Sequence, residues 1–324
     1  MTVLITGAGL VGSQVARLEQ EAGRTPVIFD VAPRVEALAD FVDLDRCTIV
    51  RGDVTNPLDL VGAIEAHGVR RIAHCAALGG LTTGSNAAPL TSTLVNFMGS
   101  AYVLEAARVL KLDRVVLCSS SAVYLSAVGG EDGGEYGYEE AFPRPNNVYA
   151  ANKQAAEDLG RAYQNTFGVD VVAVRFAAVF GPWRFGGGGQ ATTAVERWVR
   201  AGLAGEPGEV EFSGGDWLYS KDAAQGVFKA LWLEDPTDRL FNLGMGEHVT
   251  KDDIARAINA AVPGAKATAA ADQNVVASSQ ISEGAAAGIT MNIDRARKQL
   301  GYEVEFPMDK AIADYAEWLR ASGA

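Results

Sequence analysis

Tyr149 and Lys153, four residues apart, carry side chains that together can move a proton on and off an alcohol. The segment around them has helical periodicity over Val148–Phe167, so this spacing puts both groups on one face, a single turn apart. A phenol is a poor base at neutral pH, and a neighbouring ammonium favours its ionised form. Such a pair can take a hydroxyl proton while hydride leaves the same carbon. By itself the spacing is common on ordinary helices. A second group supports it: the strand-like run Val115–Tyr124 contains three consecutive hydroxyls, Ser119, Ser120 and Ser121. A serine at the carboxyl end of a strand can hold a substrate oxygen for the tyrosine. Serines in a plain turn are the alternative.

A third feature opens the chain. Gly7, Gly9 and Gly12 lie between a strand-like and a helix-like segment, the context in which spaced glycines cradle a pyrophosphate. Gly7 allows a tight turn, Gly9 lets backbone approach the phosphates, and Gly12 lets helix and strand pack closely. Leu10 and Val11 begin the helix whose free N–H groups would face the anion. Asp30 closes the second strand-like run. A carboxylate there accepts from both ribose hydroxyls and repels a 2′-phosphate, which points to NAD over NADP, although Arg34 four residues on softens the exclusion. Asp53, followed by Val54, is placed either to bond an adenine amino group or to cap the next helix.

These groups need a scaffold that gathers strand ends. Apolar, β-branched runs occur at Val3–Thr6, Pro26–Asp30, Cys47–Arg51, Arg71–Cys75, Arg114–Cys118 and Val171–Phe176. Helical patterns fill the gaps at Leu10–Ala22, Pro57–His67, Ala88–Leu110 and Val148–Phe167. Buried strands alternating with helices predict an α/β fold, a doubly wound parallel (Rossmann) sheet with right-handed crossovers. Ser126–Asn147 and Gly181–Gln190 read as loops, and Pro263–Ala287, dominated by Ala, Gly and Ser, reads as loop with little core. Further helices are expected at Ala191–Leu203, Lys221–Leu233, Lys251–Ala261 and Met308–Ala321. Residues 1–176, with about 214–243, are assigned to the nucleotide-binding domain. Residues 177–213 and 244–324 are assigned to a smaller, partly interwoven C-terminal substrate domain.

Composition narrows the partners. Of 324 residues, 48% are hydrophobic and 21% charged, with a net charge of −12. That field repels nucleic acid and anionic lipid, so neither is an expected partner. No apolar run reaches the ~20 residues of a membrane span. The first residues already read as a strand, leaving no room for a signal peptide, so the expected location is cytoplasmic. Three cysteines and three scattered histidines fit neither a disulfide framework nor a metal site.

Together these residues resemble the extended short-chain dehydrogenase/reductase family, the NAD-dependent epimerase/dehydratase type. The likeness runs along nearly the whole chain: Thr6–Gly12, Gly52–Val54, His74 through Ala77, Asn96 with Gly99, the serine strand, Tyr149 with Lys153, Arg175–Pro182 and Asp216–Ala224. It implies NAD as cofactor, with Ala76 among the cofactor contacts. Ser120, four residues before Tyr124, would be the catalytic serine and Tyr149 the acid/base. Lys153 would hold the nicotinamide ribose and ease loss of the tyrosine proton, and Ser121 would touch substrate. Asn96 would support the lysine, or else be a buried amide satisfying backbone. The family likeness also implies a homodimer through the helices at Ala88–Leu110 and Val148–Phe167, for which packing on the sheet is the alternative.

The departures concern substrate. The first two glycines stand one residue closer together than in the usual extended form. Ala178 occupies the place of an asparagine that helps nucleotide-sugar enzymes hold substrate, and Gly215 replaces the arginine of a later Arg-Asp motif. Ser121-Ala122 stands where sugar 4,6-dehydratases carry an acidic pair, which argues against dehydration. Arg184 is either a carboxylate-binding residue or an exposed surface arginine, and the glycines at 186–189 are either a lid or a linker. The reading that follows is an oxidoreductase moving hydride between nicotinamide and a secondary alcohol or ketone of a small polar substrate: a sugar, sugar acid or hydroxy acid. A nucleotide-sugar epimerase with tightly held NAD is the alternative, since the same three side chains serve both.

Overall fold

The computed structural model describes residues 1–79, 85, 87–124, 136–184, 190–211, 214–271 and 290–322. The first half of the chain runs β1 (Thr2–Thr6), α1 (Leu10–Glu21), β2 (Val27–Asp30), α2 (Val35–Leu38), β3 (Thr48–Arg51), α3 (Pro57–Ala66) and β4 (Val69–His74). It continues through α4 (Pro89–Thr93), α5 (Gly99–Leu110), β5 (Arg114–Ser120), β6 (Tyr136–Gly137), α6 (Val148–Phe167) and β7 (Val171–Phe176). Then come β8 (Ala178–Phe180), α7 (Gln190–Leu203), β9 (Pro207–Val210), β10 (Trp217–Tyr219), α8 (Ser220–Trp232) and β11 (Leu240–Leu243). The chain closes with α9 (Lys251–Ala261), β12 (Lys266–Ala269), β13 (Thr290–Met291) and α10 (Met308–Ser322).

Seven strands form one sheet in the order β11-β7-β5-β4-β1-β2-β3, with every pairing parallel. The near-continuous apolar runs read from the sequence are thus strands covered on both faces. One core lies between the sheet and α1 and α8, with Val15, Ile28, Val116 and Val227 fully buried. The other face packs Leu4, Phe29, Leu60 and Leu104 beneath α3 and α5. Packing of this density makes the sheet a rigid base for the loops at its carboxyl edge.

The seventh strand, β11, extends the six-strand expectation. Leu240–Leu243 returns to the main sheet after the chain has left it, pairing with β7. A second core, around Trp198, Trp217, Ile258 and Tyr315, gathers α7, α9, α10, β8 and β10. The two regions interleave more finely than a pair of sequence boundaries can express. Trp217 and Tyr219 pack in the second core, while Met291, Ile293 and Tyr302 pack in the first. Within Pro263–Ala287, Lys266–Ala269 is a strand rather than loop, held by parallel pairing with β9; residues 272–287 of that stretch lie outside the described set, as do 126–135 and 185–189 of the other two expected loops. The helical stretch before β5 contains a wider π turn at Leu94–Met98, which includes Asn96.

Candidate active site

Strand order places a crevice at the carboxyl ends of β1 and β4, where crossovers leave in opposite directions. Between β1 and α1, Gly7 adopts a left-handed φ of 86°. A Cβ there would lie 2.7 Å from the Ala76 nitrogen, and one on Gly12 would lie 1.9 Å from the Gly7 carbonyl oxygen. Both positions therefore require glycine for strand, loop and helix to fit together. Around Gly9, no described atom comes within 4 Å of a Cβ position. The loop is packed tightly at Gly7 and Gly12 and open around Gly9, just before α1, whose first N–H groups attract an anion.

Two cavities meet at this loop and share Gly7, Gly9, Leu10, Cys75 and Ala77. One, of about 320 Å³, is walled by Asp30, Asp53, Val54, Ala76, Val95 and Trp183. The other, of about 190 Å³, is walled by Val11, Gly12, Cys118, Tyr149, Lys153 and Phe176. A carboxylate-rimmed cavity and a Tyr–Lys cavity that share the glycine loop suit a dinucleotide: adenosine on the first side, nicotinamide on the second.

Asp30 is fixed at the rim. Its Oδ2 accepts from the Ala8 nitrogen and its Oδ1 from the Ala32 nitrogen, both at 2.8 Å. Asp53 lines the adenosine cavity, and its Oδ1 closes a turn on the Thr55 nitrogen at 2.8 Å. It is not the cap of α3: that residue is Asn56, which accepts from the Leu58 nitrogen.

The helix that carries Tyr149 and Lys153 has well-marked ends. Asn147 caps α6 by accepting from the Ala150 nitrogen at 2.9 Å, and Gly168 ends it in a left-handed conformation. Tyr149 lies in the first turn and Lys153 one turn on, both facing the nicotinamide cavity. The Lys153 ammonium is buried, donates to the Cys118 carbonyl at 2.7 Å and stands 5.7 Å from the Tyr149 ring centre. That arrangement ties the cation to β5 and keeps it beside the phenol.

Beneath this pair runs a buried polar framework. Ser119, which also lines the Tyr–Lys cavity, donates its hydroxyl to Glu157, and Glu157 receives Arg175 in a two-point contact at 2.9 and 2.6 Å. Arg175 also donates to the Tyr124 hydroxyl at 2.6 Å, and Tyr124 donates to Asn242 of β11 at 2.9 Å. Burial pushes the Tyr124 hydroxyl up to about 12, so it remains a donor. On the other side, Ser100 Oγ donates to the Asn96 carbonyl at 2.8 Å and so accepts from His74 Nε2 at 3.1 Å. His74 Nδ1 lies 2.7 Å from Thr6 Oγ1 and accepts from that hydroxyl in the neutral ring. Burial, with the Lys153 charge adding to it, pushes His74 down to about 3.

The remaining expected site residues are placed as follows. Ser120 ends β5, half-buried, with its Oγ accepting from the Ala122 nitrogen at 3.2 Å. Ser121 is buried one residue further, and neither serine is among the residues bounding the nicotinamide cavity. Asn96 does not reach Lys153. Its side chain clamps the Leu78 backbone from both ends, at 2.8 and 3.2 Å, holding the loop after β4 that carries Ala76 and Ala77, so the buried-amide reading is the one realised. Ala178 opens β8 and pairs with Trp217 of β10, with Val179 rather than Ala178 facing the cavity. Arg184 is committed elsewhere: its guanidinium grips both oxygens of Asp40 at 2.5 and 2.7 Å and lines neither cavity. The expectation that it holds a substrate carboxylate is corrected accordingly, because the charge is already matched. Trp183, Phe176 and Val179 are walls that motif reading passes over; the only local signal is an aromatic immediately after Gly-Pro at a strand end.

A family model for the NAD dependent epimerase/dehydratase family matches residues 3–244. A dTDP-glucose 4,6-dehydratase from Streptomyces niveus is 26% identical over 100% of this chain and 94% of its own length. Across eight curated relatives, the matched share of the relative's own length runs from 38% to 94%. Among solved structures, a GalE-like L-threonine dehydrogenase from Cupriavidus necator superposes with a TM-score of 0.82 at 26% identity, covering 98% of this chain and 100% of that one. The UDP-glucose 4-epimerase of Thermus thermophilus, solved with NAD, gives 0.81 at 22% identity over 99% and 100% of the two chains, a likeness of fold. With the glycine loop, the paired cavities and the Tyr–Lys helix in register with that match, the chain belongs to the NAD-dependent epimerase/dehydratase family and is an NAD-dependent enzyme of the extended short-chain dehydrogenase/reductase type.

Proposed function

We propose that this enzyme is a dehydrogenase that oxidises a secondary alcohol, or reduces the corresponding ketone, on a small polar substrate such as a hydroxy acid, sugar acid or sugar. The observation that carries the reading is the shared wall: Tyr149, Lys153 and the glycine loop bound one small cavity of about 190 Å³. NAD, when bound, supplies the hydride acceptor beside that wall. Tyr149 takes the hydroxyl proton and Lys153 stabilises the phenolate from its anchor on Cys118. Ser120 ends β5 just outside the cavity's lining, and in this reading its hydroxyl turns to the substrate oxygen once substrate is bound.

The small-substrate choice rests on what the site lacks. Gly215 has a φ of 149°, a region side chains rarely adopt, and its backbone pairs with Val249, so no arginine fits there without rearrangement. Arg184 is paired with Asp40, and Ala178 offers no amide. Among the described residues a diphosphate would find few cations. The similarity in fold and sequence to an L-threonine dehydrogenase supports the same choice. The second reading, a nucleotide-sugar epimerase, is favoured by the sugar-nucleotide names among its sequence relatives.

The test is NADH absorbance from NAD with a panel of sugars, sugar acids, hydroxy acids, hydroxy amino acids and UDP-hexoses. Substrate-dependent NADH formation is expected, and Tyr149→Phe should lower it by roughly a thousandfold or more while NADH binding persists. Turnover retained in that variant sinks the mechanism. Epimer formation from a UDP-hexose without net NADH assigns the second reading.

A further inference from the structure

We propose that Trp183 is a wall of the NAD site and that the Arg184–Asp40 ion pair is the latch that keeps it closed, so that this contact sets how long the cofactor stays bound. The inference concerns cofactor retention and does not depend on which substrate the enzyme takes.

Three segments distant in sequence converge on one edge of the adenosine cavity. Trp183, 5% exposed, faces the cavity together with Gly9, Leu10 and Asp30. Phe41 stacks on it with ring centres 6.3 Å apart and planes 19° apart. Trp318 of α10 also stacks with Phe41, at 6.2 Å, and Tyr315 stacks with Trp318 at 5.9 Å. The aromatic column therefore runs from the cavity wall to the C-terminal helix. Next to it Arg184 grips Asp40 at 2.5 and 2.7 Å and donates to the Ser322 carbonyl at 3.4 Å. Asp40 and Phe41 belong to the segment that leaves β2 just after Asp30.

A ligand held between two walls leaves faster when one of them yields. The glycine-loop wall cannot, because Gly7 and Gly12 pack with no room for even a methyl group. The opposite wall can. Its outermost tie is an ion pair with side chains 33% and 16% exposed, the class of contact that opens at little cost. An indole on this edge excludes water from one side of the cofactor, and the latch fixes the segment between β8 and Arg184 so that the indole stays in place.

The experiment is NADH release, chased by excess NAD and followed by NADH fluorescence. Arg184→Ala and Asp40→Asn should each speed release by roughly three- to tenfold and weaken the NADH dissociation constant to match. Arg184→Lys, which keeps charge but loses the two-point grip, should fall between. Unchanged release in both Arg184→Ala and Asp40→Asn overturns the latch. Trp183→Ala removes part of the main core and can unfold the chain, so Trp183→Phe is the informative variant for the wall. Energy transfer from tryptophan to bound NADH should drop sharply in Trp183→Phe, and transfer equal to the parent enzyme overturns the placement of Trp183 at the cofactor.

Discussion

The two sides of the cofactor cleft are built to different standards. Behind the catalytic helix, Glu157 and Arg175 are 2% and 1% exposed in their side chains and share a network with Ser119, Tyr124 and Asn242. Across the cleft, the Trp183 wall depends on stacked rings and an ion pair open to water. A buried, fully bonded network is costly to leave half-made, whereas an exposed pair can part and reform. The contrast separates tasks: side chains that move protons need one fixed geometry, and the wall that admits a cofactor needs two.

Removing Glu157 should give the largest effect. Glu157→Ala leaves the Arg175 guanidinium buried without its carboxylate, a loss of about 3–5 kcal/mol of stability. Urea unfolding monitored by circular dichroism measures it. A loss below about 1 kcal/mol would mean that the network relaxes or admits water, and the contrast between the two sides would fail.

His74 offers a test at the same depth through pH. Its native value near 3 lies below the ordinary histidine value of 6.5, so the unfolded chain binds a proton that the native state refuses. Stability from this group is complete above about pH 6.5 and is lost as pH falls toward 3. Asp216 works in the opposite direction, because burial pushes it up to about 7 and the native state then holds the extra proton. The two slopes overlap, so the comparison has to be made by difference. His74→Gln keeps an acceptor and a donor but does not titrate. Relative to the parent enzyme it should gain about 2 kcal/mol between about pH 7 and about pH 5. Parallel stability curves for the two proteins would show that His74 is not the neutral member of the Thr6–Ser100 chain.

The same division governs what could be read from sequence. Gly7, Gly9 and Gly12 are legible because the turn, the open edge and the close packing are all decided within a few residues. Tyr149 and Lys153 are legible because one helical turn fixes their spacing, and the sheet follows from apolar runs that alternate with helices. Contacts between distant segments are not legible. Nothing near Arg184 indicates that Asp40 meets it, and nothing near Trp183 names Phe41 and Trp318. Asn96 matches a family position, yet its amide serves Leu78, because the π turn and the loop after β4 decide where it points. Lys266–Ala269 has weak intrinsic strand preference and forms only because β9 offers an edge. β11 escapes sequence reading because a strand's partner, not its own four residues, assigns it to a sheet.

The smallest expected effect separates holding a fold from holding a ligand. In Arg184→Ala, without NAD, the urea midpoint should stay within replicate scatter, because the ion pair lies at the surface and the Phe41–Trp183 stack persists without it. The same variant is the one expected to release NADH faster. A contact can influence a rate while contributing nothing measurable to global stability when it is made only around the bound ligand's exit, since opening there leaves the two cores intact. A clear fall in the midpoint would place Arg184 among the structural ties of α10, through its contact with Ser322, and faster NADH release in that variant would then report general loosening rather than a latch.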